Sequence, residues 1–180
     1  MLPTVIYIKE GGMRKAKFLA CGLWVLALVP GAWAQSKVDS QWKCESPSTT
    51  HSIEAGDQAG HAYVINEVKC TAVKGTIDGD AEKVGDSTEF HDVLPDKSEW
   101  QGMFVDTLAS GDKLFIDFEG SGAMKDGSFA SGTNSWTVVG GTGKFAGAGG
   151  KGKCTGKGNP DGTSLWDCTG TVEAAAPGKK

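Results

Sequence analysis

Arginine is almost missing from this 180-residue chain: Arg14 stands alone, near the N-terminus. Beyond it, the chain lacks the guanidinium fork that clamps phosphate or carboxylate bidentately. Aromatic residues are also sparse, at 8%. No cysteines are spaced C-x-x-C, which argues against a four-cysteine zinc site, and no G-x-S-x-G elbow marks a serine nucleophile. After position 34, no stretch of ten residues or more repeats its apolar positions every 3.6 residues, which disfavours a helical bundle. Glycine, by contrast, is abundant, with 27 residues and no three-residue period. That excludes collagen and suggests many tight turns between short strands. A 39% hydrophobic content is too high for a disordered chain, and the length suits one domain.

The first 34 residues stand apart from the rest. Met13-Arg14-Lys15-Ala16-Lys17 is basic, Phe18 to Pro30 is apolar, and Ala32-Trp33-Ala34 has the small-x-small form cut by signal peptidase. The apolar run falls short of the ~20 residues that span a bilayer, so a cleaved signal peptide over 1–34 is expected rather than a retained anchor. Residues 1–12 precede a second methionine, fit no secretion signal, and read as an extension from a mis-assigned start. Export to the periplasm or the extracellular space follows. Segment 1–34 carries Lys9, Arg14, Lys15 and Lys17 against Glu10, out of 18 basic and 22 acidic residues in all. The remainder therefore holds 14 basic and 21 acidic residues, a net charge of -7. Such a chain has little with which to neutralise nucleic-acid phosphates.

Four cysteines follow position 34, and an even number in an exported domain points to two disulfides. Between Cys154 and Cys168 lies Gly158-Asn159-Pro160-Asp161-Gly162, a turn centred between them, which would set the two opposite each other on a hairpin. Pairing Cys154–Cys168 leaves Cys44–Cys70. Each bridge would close a loop worth ~3 kcal/mol.

Alternation of apolar and polar residues predicts strands over 62–73, 88–94, 100–109, 113–122, 128–139 and 144–154, with a last hairpin running to Glu173. Seven or eight antiparallel strands with short turns fit a small closed β-barrel over 35–173, followed by a flexible tail at 174–180. An even-length turn at Gly111-Asp112 would place Met103, Val105 and Thr107 on one face with Leu114, Ile116 and Phe118. The other face would carry Phe104, Asp106 and Leu108 with Phe115, Asp117 and Glu119. That mixed face has the composition of a pocket, mostly apolar with a few polar groups. Phe104, Asp106, Phe115, Asp117 and Glu119 are thus the candidate ligand-binding residues, with Asp117, central among them, expected to be shielded from water. Trp42, Trp100, Trp136, Trp166 and Tyr63 are large enough to line a pocket, although core packing is their commoner use. His51, His61 and His91 lack metal-pair spacing and read as scattered surface or loop residues. Lys151, Lys153 and Lys157 read as an exposed strand edge.

Ser135-Trp136-Thr137-Val138-Val139-Gly140-Gly141-Thr142-Gly143-Lys144-Phe145-Ala146-Gly147-Ala148-Gly149-Gly150 is the most specific segment. It fails as a phosphate loop, since Val138 and Phe145 occupy the positions of the first glycine and of the Ser or Thr. It resembles the V-V-G-G-T-G-K-F-x-x-A-x-G hairpin of the allene oxide cyclase and dirigent barrel superfamily, including bacterial exported members. The resemblance covers about sixteen residues closely and the remaining strand layout loosely. It implies a closed barrel hosting isomerases, stereochemical guides or proteins of no assigned activity; it transfers no catalytic residue. The expected function is a non-catalytic exported module for a small apolar ligand or a protein partner. The alternative implied by the resemblance is an isomerase or cyclase working in the barrel cavity. Neither cofactor nor metal is expected, nor nucleic acid or a membrane anchor after signal cleavage; a homo-oligomer stays open.

Overall fold

The computed structural model describes residues 35–174 of the chain. The signal segment 1–34 and residues 175–180 of the expected tail lie outside them. Ten strands follow in order: β1 Gln35–Cys44, β2 Thr49–Glu54, β3 Ala62–Lys74, β4 Thr76–Ile77, β5 Asp80–Val93, β6 Lys97–Leu108, β7 Lys113–Lys125, β8 Ser128–Gly141, β9 Gly149–Gly158 and β10 Ser164–Glu173. The main strands pair antiparallel in the order β3-β1-β10-β9-β8-β7-β6-β5, and β3 pairs again with β5 to close an eight-strand barrel. Strand β2 pairs with the first half of β3 and β1 with the second half, so β2 prolongs the wall where β1 ends. Closure leaves none of the eight strands as a free edge. The Lys151, Lys153 and Lys157 strip accordingly lies on the outer face of β9, a strand paired on both sides, not on an edge.

Both disulfides form as expected, Cys44–Cys70 between β1 and β3 and Cys154–Cys168 between β9 and β10. Each joins residues directly opposite on neighbouring strands, with Cα atoms 4.0 Å apart, and each lies on the inner face. Glycine does more than turn the chain. The inner positions of β9 are Gly150, Gly152, Cys154, Gly156 and Gly158, a floor of small residues onto which neighbouring indoles fold. The Trp136 ring fills the space above Gly152 and Gly170, and the Trp166 ring the space above Gly156. Wide aromatic groups thereby fit inside a narrow barrel.

The central hairpin differs from the expected register. Leu108 N–H donates to the Asp112 carbonyl, and Gly111 adopts a φ of +90° inside a three-residue loop, Ala109–Gly111. An odd loop with glycine in the left-handed region is a standard hairpin closure, and it shifts β7 by one residue relative to an even loop. Phe104 therefore opposes Ile116, and Asp106 opposes Leu114. Phe104, Asp106 and Leu108 do point inward, but with Leu114, Ile116 and Phe118. Phe115, Asp117 and Glu119 lie on the outer wall with Met103 and Val105.

The glycine-rich connection after β8 is also longer than a hairpin. Gly143–Phe145 forms a turn of 3-10 helix, and β9 begins only at Gly149. Gly143 adopts a left-handed φ of +54°, whereas Gly141 does not. A side chain at Gly141 would instead strike the carbonyls of Lys113 and Phe145 at 2.5 and 2.7 Å. The turn drives Phe145 into the barrel end, where it is 1% exposed beside Leu114, Leu108 and Ile77.

Candidate functional site

That plug leaves the barrel closed at one end and hollow above. A cavity of about 500 Å³ fills the interior. Loop residues Pro47, Gly127, Asn159 and Thr163 line it at the end where β5 and β7 finish, whereas the loops at 109–112 and 142–148 contribute nothing. One end is thus a floor and the other a mouth.

Polar groups occur on both levels. At the floor, Glu82 of β5 and Asp106 of β6 face inward, 7% and 0% exposed. The Ser40 hydroxyl of β1 donates to Glu82 Oε2. Gly75 has no side chain because the Glu82 carboxylate occupies that space. Apart from Glu82, Asp106 has no hydrogen-bond partner for either oxygen. Burial first, and then the charge of Glu82, push the Asp106 carboxyl up to about 8; burial raises Glu82 as well, against the Ser40 hydrogen bond. Asp106 thus keeps a proton at neutral pH, and the two carboxyls titrate together rather than independently.

Above the floor, the cavity is aromatic. Trp42 meets Phe104 edge-on with ring centroids 5.0 Å apart. Near the mouth Phe129 stacks on Trp166 at 5.4 Å, and Trp100 stands edge-on to both. All four tryptophans of the described residues line the cavity. Trp136 Nε1 and the amide oxygens of Asn66 and Asn134 are buried there without a partner. Along β5, Ser87 donates to Glu89 Oε1 at 2.6 Å, and the other Glu89 oxygen lies 2.8 Å from His91 Nε2. A few convergent polar groups in an aromatic hollow of this volume is the usual make-up of a small-molecule site.

No family model matches the chain, and no curated protein matches it. Two solved structures of pterocarpan synthase dirigent proteins are similar to it. One shares 11% identity at a TM-score of 0.48, over 96% of this chain and 100% of that one. The other shares 13% at 0.45, over 81% and 97%. Both are dirigent proteins. At such scores they say nothing about what this barrel holds.

Of the five expected ligand-binding residues, the structure brings Phe104 and Asp106 into the cavity. Asp117 and Glu119 lie on the outer wall in a shallow hollow with Ile65, Phe90 and Gln101, so Asp117 is not shielded from water as expected. Phe115 is half-buried on the same outer face, away from the cavity. Tyr63 is exposed on the outside, while Trp42, Trp100, Trp136 and Trp166 take the lining role.

Sequence reasoning missed Ser40, Glu82, Ser87 and Glu89, and read His91 as a scattered residue. Their signal was present as alternation in Ser87, Glu89 and His91, but polar residues at every second position read as a solvated face. His61 was also read as scattered, yet its ring is tied at the barrel rim. Its Nδ1 lies 2.6 Å from Asp57 Oδ1 and its Nε2 2.9 Å from Asp92 Oδ1. Two carboxylate acceptors are both satisfied only when both nitrogens donate, which favours the protonated imidazole and raises its pKa, the Asp57 hydrogen bond first.

Proposed function

We propose that this barrel is an exported binding module that holds one small, largely apolar molecule in its interior. The cavity carries this reading: about 500 Å³, walled by indole and phenyl rings, with buried polar groups that have no partner in the protein. Burying such groups unpaired costs roughly 1–3 kcal/mol each, a cost that a ligand offering the complementary donors and acceptors removes. The two disulfides suit an oxidising compartment and support export, with Gln35 as the expected mature N-terminus. No observation separately favours an isomerase or cyclase.

Because the tryptophans of the barrel line the cavity, intrinsic fluorescence reports its occupancy. Titration with the neutral apolar probe N-phenyl-1-naphthylamine should quench tryptophan emission saturably, at one probe per chain. Ser87→Trp, which places an indole on the inner face opposite Phe104, should abolish that binding. Quenching that does not saturate, or that survives Ser87→Trp in a folded variant, would place the probe elsewhere and refute the reading.

A further inference from the structure

The titratable groups lining the cavity are strongly one-sided. Glu45, Glu82, Glu89 and Asp106 line it, and no lysine or arginine does so among the described residues. His91 is the one basic side chain there, and Glu89 already engages it. At the floor, Asp106 is fully buried, and apart from the hydrogen bond between the two carboxyls the Ser40 hydroxyl is the one donor that reaches them. A buried carboxylate stripped of water is best satisfied by a charged donor, and the cavity wall supplies none at the floor.

One inward step above these groups stand aromatic rings. Trp42 follows Ser40 on β1, and Phe104 precedes Asp106 on β6, the two rings in edge contact. Carboxylates below and ring faces above form the environment that attracts an organic cation, through ion pairing and the ring quadrupole together. We infer that the cavity takes a protonated amine with an aromatic or other apolar body, its ammonium seated at Glu82 and Asp106; this rests on the barrel being a binding module. The three N–H donors of one ammonium meet carboxyl oxygens to which a hydrocarbon would offer no donor. An anion of the same shape meets like charge with no compensating donor.

Calorimetric titration with three probes of matched size, 2-phenylethylammonium, 2-phenylethanol and 3-phenylpropanoate, tests the inference at pH 7 and fixed ionic strength. The amine should bind at least about tenfold more tightly than the alcohol, and the acid should not bind detectably. In the Glu82→Gln/Asp106→Asn double variant the preference for the amine should shrink below about threefold while the alcohol still binds. Glu82→Gln alone reads the same loss if the double variant does not fold. Asp117→Asn, on the outer wall, should keep the full preference. Equal affinity for amine and alcohol would overturn the inference and leave the binding module standing. So would a preference that survives loss of both floor carboxyls or disappears with Asp117→Asn. Failure of all three probes to bind would remove both.

Discussion

At the floor of the barrel, Glu82 and Asp106 lie among Leu108, Leu114 and Ile77 with a single hydroxyl for company; at the rim, Asp57 and Asp92 grip His61 from both sides. Both ends therefore hold a pair of carboxyls, and the pairs differ in what surrounds them. At the floor, burial dominates and favours the protonated form. At the rim, the imidazolium hydrogen bond dominates and holds the Asp57 carboxyl below its usual range. The lesson is that placement of a cation, not the count of acids, decides which carboxylates stay charged. The rim is a satisfied structural tie, and the floor is an unsatisfied one that faces a cavity.

The strongest break in this comparison is mechanical. Phe145 fills the floor from a turn, so Phe145→Ala should cost about 3–5 kcal/mol by chemical denaturation. Phe129→Ala, at the half-buried mouth, should cost less than half of that. Equal losses would mean that the floor is no better packed than the mouth.

The next effect is electrostatic. A carboxyl whose folded pKa is raised binds a proton that the unfolded chain releases. Its contribution therefore lowers stability as pH climbs from about 3.8 towards about 8. Asp106→Asn removes that dependence, so the variant should gain on the parent by at least about 1.4 kcal/mol between pH 4 and pH 8. Parallel stability curves for parent and variant over this window would show that Asp106 is not desolvated in solution.

His61 at the rim should behave in the opposite sense to a lowered acid and with smaller effect. Its raised pKa contributes stability that is fully present below the ordinary 6.5 and is lost as pH rises through the folded value. A side-chain NMR titration should place His61 above 6.5, and a value at or below it would break the tie with Asp57 and Asp92. The smallest effect belongs to the outer wall: Asp117→Asn should change stability by less than about 0.5 kcal/mol, in contrast to Asp106→Asn. A large shift would mean that the hairpin register is the even one after all.

Alternation in the strands, the turn between Cys154 and Cys168, and the even cysteine count made the closed barrel and both bridges legible in advance. That Phe104, Asp106 and Leu108 share one face of β6 was legible too, whatever the partner strand does. The face of β7 was not. Its assignment hung on whether the turn after Leu108 has an odd or even length, and one residue of slip exchanges Phe115, Asp117 and Glu119 for Leu114, Ile116 and Phe118. Phe145 was equally hidden, since a strand over 144–154 would have made it one more alternating residue rather than a plug.

Local pattern alone determined that this chain makes short antiparallel strands, which residues of each strand share a side, and which cysteines can meet. Only closure of the barrel decided which side is inside. Burial is a property of the whole ring: Glu82 and Ser40 lie 42 positions apart and meet because β1 and β5 both pair with β3. Nothing in the residues around Glu82 marks it as buried, and its exclusion from water comes from strands and a plug contributed by distant parts of the chain.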